Sequence, residues 1–178
     1  ACTVCGGSRV RAEAAHARFR ELTISDIVRM PIGELLETVK SWTLAKREQK
    51  VASELQREII QRLQFLNDVG LEYLSLDRGA NTLSGGESQR IRLASQLGSG
   101  LSGVLYVLDE PTIGLHPRDN QRLIRAMKSL RDLGNTLLIV EHDREVIASS
   151  DQLCDFGPGS GPFGGQVVAQ GSPAQIKK

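Results

Sequence analysis

Two acids, a histidine and a Ser-Gly-Gly triplet are the residues of this chain whose types and spacing suit chemistry. Asp109 and Glu110 close the apolar run VLYVL, and His142 follows a second run, LLIV, one residue further on. An apolar strand ending in Asp-Glu suits phosphate chemistry. The aspartate can hold Mg2+, directly or through water, while the adjacent carboxylate orients or deprotonates an attacking water. The histidine can donate a hydrogen bond to a terminal phosphate. Ser84, Gly85 and Gly86, within NTLSGGESQR, stand just before a helical segment. A helix start gathers unpaired N–H groups and the positive end of the macrodipole, so its natural guest is a phosphate. A chain that cradles its own nucleotide should also carry a glycine-rich loop ending in Gly-Lys-Ser/Thr. No Gly-Lys pair occurs. Taken singly, these features are more often a solvated turn, a surface histidine and an ordinary loop; their co-occurrence carries the reading.

The elements that must position these groups are legible from periodicity. Both apolar runs are continuous rather than alternating, which predicts strands buried on both faces of a parallel sheet. Between them, residues 118–132 read as an amphipathic helix, giving β-α-β. Leu123, Ala126, Met127, Leu130 and Leu133 share one side of it, and Arg118, Arg122 and Arg125 line another. Ligands of such sheets bind beyond the carboxyl ends of the strands, where Asp109, Glu110 and His142 converge. Further strands are expected at 152–156 and 166–169, joined by the turn-dense GPGSGPFGGQ. Upstream, residues 25–67 read as helical. Pro31 suits a first helical position, and Ile32, Leu35, Leu36 and Val39 recur at helical spacing. A longer helix is expected over 45–65, with Val51, Leu55, Ile59 and Leu66 on its apolar face and Gly70 as its C-terminal cap.

Composition sets the bounds. The 178 residues are enough for one domain or one and a half, and 40% apolar with 24% charged content is ordinary for a globular protein. A net charge of +1 points neither toward nor away from nucleic acid. There is no apolar run of membrane length and no signal-peptide pattern, and three cysteines without export signals suggest a reducing, cytoplasmic setting. Cys2 and Cys5 form half of a four-cysteine Zn2+ knuckle, with metal-free thiols the alternative. Cys154, in an expected core strand, reads as a small buried hydrophobe.

LSGGESQR, VLYVLDEPT and LLIVEHD, in that order, resemble the signature motif, the Walker B strand with its catalytic glutamate, and the H-loop of ABC-type ATPases. The likeness sharpens with GLHPRDN after the second motif, the tail DFGPGSGPFGGQVVAQGSP and the opening CTVCGGSRVRAEA. Nearly end to end, the chain resembles the UvrA family, damage-sensing ATPases of nucleotide excision repair. That resemblance implies an α/β fold: a partial ABC-type P-loop ATPase, a mostly parallel sheet with flanking helices, plus a helical signature subdomain. Residues 1–20 would form a zinc-knuckle or hairpin stub, 21–102 the signature subdomain, and 103–178 half of the ATP-binding subdomain.

The resemblance also assigns roles. In ABC proteins the signature loop faces the nucleotide held by an opposite module, so Ser84, Gly85, Gly86 and Glu87 would meet an ATP bound elsewhere. Glu87 stands where transporters often have glutamine, and it fits the UvrA pattern. Asp109 (through Mg2+), Glu110 and His142 would serve a second ATP, held by a Walker A loop expected upstream of residue 1. The chain is therefore expected to be the signature-to-C-terminal part of a first module, inactive alone. Implied partners are damaged double-stranded DNA, the second ABC module of the same chain, a second UvrA subunit and a UvrB-type protein, with no membrane. For DNA, Arg90 and Arg92 are the candidate contacts; the Arg118, Arg122 and Arg125 stripe reads more readily as a solvated helix face. A drug-resistance paralogue of the family and a transporter ATPase subunit are the alternatives.

Overall fold

The computed structural model describes Cys5 and residues 10–99, 101–159, 161 and 164–177. The chain divides into two compact units, Ala1–Gly100 and Leu101–Lys178.

In the first unit, α1 (Ala12–Ala15) leads to an antiparallel hairpin of β1 (Arg18–Phe19) and β2 (Leu22–Thr23). Its two turn residues, Arg20 and Glu21, have φ of 51° and 66°, the sign that strand twist favours in a two-residue hairpin. Cys2 lies outside the described residues, so the paired-cysteine knuckle is not described; Cys5 is half-buried. Helix α2 (Ile24–Arg29) starts in a capping box: the Asp26 N–H donates to Thr23 Oγ1 and the Thr23 N–H to Asp26 Oδ2. Helix α3 (Ile32–Ser41) buries Ile32, Leu35, Leu36 and Val39, the four residues its periodicity groups. Each such side chain is worth about 1.5–3 kcal/mol when fully buried. They pack on α4 (Lys46–Asp68), whose Gln56 Nε2 donates to the last carbonyls of α3, Val39 at 2.8 Å and Trp42 at 3.0 Å. Helix α4 ends in a Schellman motif. The Gly70 N–H donates to Asn67 O, the Leu71 N–H to Leu66 O, and Gly70 takes the left-handed φ of 77° that glycine adopts without strain. Helix α5 (Gly85–Ser99) packs on α4 in turn.

The expectation for α4 fails. Val51, Leu55 and Ile59 share a face of α4, but that face is exposed, Val51 by 76%. Periodicity assigns residues to one face and does not supply the element that covers it. Helix α4 makes its fully buried contact at Leu63 instead, with Leu66 half-buried.

In the second unit, β3 (Leu105–Asp109) pairs in parallel with β4 (Thr136–Val140), Leu105 opposite Thr136 through Asp109 opposite Val140. The crossover is α6 (Pro117–Asp132), which buries Leu123, Ile124, Ala126, Met127 and Leu130. Leu133 falls outside that face and is exposed, because α6 ends at Asp132 and Gly134 turns the chain with φ of 89°. Buried Asn135 then ties helix to strand. Its Nδ2 donates to Leu101 O and Leu130 O, and its Oδ1 accepts from the Val104 N–H, each at 2.9 Å.

The strands are not buried on both faces as their apolarity predicts. Leu105, Val107, Leu138 and Val140 are exposed, Val107 by 62%. With α6 on one side, no other described element of this unit covers the opposite face. After α7 (Arg144–Ser149), β5 (Leu153–Gly157) and β6 (Gln166–Gly171) form a separate antiparallel pair, and α8 (Pro173–Ile176) follows. The described strands thus form three separate two-stranded sheets, one parallel and two antiparallel, where a mostly parallel sheet was expected. Cys154 is exposed, a correction to its expected burial, because β5 is paired along one edge and left open on the face that carries it. No helix among the described residues is long and apolar enough to cross a membrane.

Candidate functional site

The first cluster lies at the start of α5. Ser84 precedes Gly85 and Gly86, and Glu87 folds back to close a reciprocal cap. The Ser84 N–H donates to Glu87 Oε2 at 2.7 Å, and the Glu87 N–H donates to Ser84 Oγ at 3.2 Å. Glu87 is only 6% exposed. Its Oε1 also accepts from the Tyr73 hydroxyl at 2.8 Å and Arg78 Nη1 at 3.2 Å. Arg78 reaches on to Thr82 O and Thr82 Oγ1, so the approach to the loop is fixed as well. The backbone bond from Ser84 holds the Glu87 carboxyl below its ordinary range, with Tyr73, the Ser84 hydroxyl and Arg78 adding to the effect against the cost of burial. A Cβ added to Gly85 would meet nothing within 4 Å, so no neighbour in the chain dictates a glycine there.

The second cluster lies beyond the carboxyl ends of β3 and β4. Asp109 is the last residue of β3, opposite Val140. The Glu110 N–H continues the ladder onto Val140 O at 2.8 Å, but Glu110 itself has φ of 45°. A non-glycine residue held there is strained, and such strain gathers at functional positions. Glu110 Oε1 lies 3.4 Å from His142 Nε2, and the imidazole is largely exposed. The structure thus brings Glu110 and His142 together at the strand end that carries Asp109.

Two residues of this cluster were not singled out in the sequence. Glu141 accepts four hydrogen bonds, from the N–H and hydroxyl of Thr112 and from the N–H groups of His142 and Asp143. Burial pushes its carboxyl up, but those bonds outweigh it and hold the group below its ordinary range. Asp143 caps α7 by accepting from the Glu145 and Val146 N–H groups, and buried Asn120 on α6 donates to its other oxygen at 2.9 Å. Three of Glu141's four donors are backbone groups, which a sequence does not display. Its neighbour His142 drew the reading.

The arginines separate. Arg92 is exposed, whereas Arg90 is 1% exposed and cannot reach a DNA phosphate, a correction to its expected role. Arg90 lies on the face of α5 that also buries Glu87, Leu93 and Ala94. The spacing 87, 90, 94 is helical, and that period was the signal available in the sequence. In the α6 stripe Arg125 is exposed, while Arg122 sits 3.7 Å from Asp119.

Among the described residues no group of three or more His, Cys, Asp or Glu side chains could cage a metal. The donor set at the end of β3 still fits Mg2+. Two successive carboxylates offer the hard oxygens it prefers, and it commonly takes one or two carboxylates with waters and substrate phosphates for the rest.

No family model matches the chain. It is 58% identical over 176 residues to UvrABC system protein A of Methanothermobacter thermautotrophicus, covering 99% of this chain and 18% of that protein. With UvrABC system protein A of Thermus thermophilus the identity is 55% over 179 residues, covering 99% and 19%. The crystal structure of UvrA2 from Deinococcus radiodurans matches with a TM-score of 0.86 at 41% identity, over 99% of this chain and 23% of that one. The chain therefore spans about a fifth of the length of the curated relatives it matches. The alignments run along nearly every residue and the fold is shared, so the chain corresponds to one segment of UvrA-family proteins.

Proposed function

We propose that the chain is the signature-to-C-terminal part of the first ATPase module of a UvrA-type protein, and that it contributes one half to each of two ATP sites. Residues 103–178 serve the module's own nucleotide, and the 21–102 subdomain serves a nucleotide bound by an opposite module. The Walker A loop that cradles each phosphate chain is contributed by other parts of a UvrA-length polypeptide. The observation that carries this reading is Glu110, held at positive φ on a strand end with His142 at 3.4 Å.

In the module's own site, the Glu110 carboxylate orients a water toward the terminal phosphorus and takes its proton as the bond to ADP breaks. His142 donates a hydrogen bond to the same phosphoryl group. Asp109 would hold Mg2+, which neutralises charge on the phosphate oxygens. In the other site, Ser84 and the N–H groups at the start of α5 meet the terminal phosphate, and Gly85 leaves room for that approach. Glu87 acts there through the loop it holds, since its own oxygens already accept from Ser84, Tyr73 and Arg78.

Hydrolysis at these sites would control loading of the whole protein on damaged double-stranded DNA and its hand-over to a UvrB-type partner. Arg92 is the remaining candidate for a DNA phosphate, and Cys2 with Cys5 would bind Zn2+ only together with thiols from outside this chain. The names of the relatives favour a repair role. Identity is 58% and 55% to proteins named for the UvrABC system and 41% to UvrA2. In a full-length UvrA-type protein carrying this segment, Glu110→Gln should keep ATP affinity and slow hydrolysis by about 10²–10⁴-fold, because the amide cannot accept the proton. Steady-state turnover and nucleotide binding measured together test this. Unaltered turnover would remove Glu110 from the reaction.

A further inference from the structure

The loops that follow β3 and β4 are joined through one carboxylate. Glu141 Oε1 accepts from the Thr112 N–H at 2.9 Å and from the Thr112 hydroxyl, while Oε2 accepts from the N–H groups of His142 at 2.8 Å and Asp143 at 3.0 Å. A carboxylate has about four acceptor sites, and all four are taken. Glu141 is therefore poorly placed to act as a base and well placed as a clamp. Its two ends bracket the reacting pair. Glu110 precedes Thr112 by two residues on one loop, and His142 follows Glu141 on the other. Between them the separation is 3.4 Å.

We propose that Glu141 is a positioning residue whose carboxylate fixes the spacing of Glu110 and His142. The inference rests on the reading of those two as hydrolytic residues. Glutamine at this position keeps one oxygen but turns an NH2 group toward N–H donors, so one loop is released. A displacement of about 1 Å at a reacting group costs up to ~10²-fold in rate. The loss falls on kcat, because Glu141 itself does not reach the nucleotide.

The test uses Glu141→Gln, Thr112→Val and Thr112→Ser in a full-length UvrA-type protein, with amide exchange at Thr112, His142 and Asp143 followed by NMR in the 178-residue chain. Expected for Glu141→Gln are a fall in kcat of about 10–100-fold, a KM for ATP within about twofold, and loss of protection at the amides of the released loop, Thr112 on one side or His142 and Asp143 on the other. Thr112→Val should lower kcat less, since the Thr112 N–H bond survives, and Thr112→Ser should restore it by keeping the hydroxyl. The double variant should lose less than the product of the two single losses, because both act on one link. Protection lost with kcat unchanged would overturn the positioning role, as would a change confined to KM. Protection retained in Glu141→Gln would show that no clamp exists. A wild-type protein without turnover would overturn the reading of the site and the inference with it, even where exchange shows the clamp intact.

Discussion

At the start of α5, Glu87 turns its carboxylate onto the Ser84 N–H, Tyr73 and Arg78; beyond β4, Glu141 does the same to Thr112, His142 and Asp143. Each unit uses one partly or fully buried glutamate to hold a loop, yet the loops present opposite chemistry. The first offers donors: a serine hydroxyl and the N–H groups of a helix start. The second offers carboxylates at a strand end with an exposed imidazole beside them. Donors suit a charge already formed on phosphate, whereas carboxylates suit a metal ion and a water about to lose its proton. On the proposed reading each cluster is half of a nucleotide site, and the contrast is what a protein with nucleotides shared between modules requires.

The comparison breaks most visibly at Glu87. Glu87→Ala removes the acceptor for three donors and one side of the helix cap, at an expected cost of about 2–4 kcal/mol to the first unit. Trp42, the chain's single tryptophan, packs edge-on against Phe19 at 5.0 Å in that unit, so its fluorescence reports the unfolding. A midpoint unchanged by the substitution would mean that the loop does not depend on its glutamate. In the second unit the matching test is Asn135→Ala. It loses three hydrogen bonds and should cost about 2–3 kcal/mol, read as faster amide exchange in β3 and β4.

Acid sharpens the same comparison with a smaller effect. Glu87 and Glu141 are both held below the ordinary carboxyl range when folded. The folded state then binds fewer protons than the unfolded one, so their stabilisation is complete above the unfolded value near ~4.3 and declines as pH falls below it toward the folded values. Glu87→Gln and Glu141→Gln should each flatten part of the decline in a denaturant midpoint followed from about pH 6 to 3. A slope unchanged in both variants would assign the acid sensitivity to other carboxyls.

How much of this was legible depends on what a sequence displays. The buried face of α3, the strands at β3 and β4 and the Gly70 stop all follow from local rules, since period, apolar runs and turn chemistry are written in consecutive residues. The meeting of Glu110 and His142 at the strand end that carries Asp109 followed from strand ends in a parallel pair. What failed depended on covering partners: the exposed face of α4, the open face of β3 and β4, and Cys154. Arg90 was misread because its charge outweighed its place in the helical period with Glu87 and Ala94. Glu141 went unseen because most of its partners are backbone N–H groups, which carry no letter.

The central claim is that Ser84 and Glu110 serve different nucleotides. It is tested most directly by site-resolved turnover in a full-length UvrA-type protein whose Walker A lysine is disabled in one module at a time. Glu110→Gln should silence hydrolysis of the nucleotide held by its own module, and Ser84→Arg, whose bulk blocks closure of the loop over a phosphate, should silence the other. If both substitutions abolish turnover of the same nucleotide and spare the second, Ser84 and Glu110 belong to one pocket and the division between the two halves is wrong.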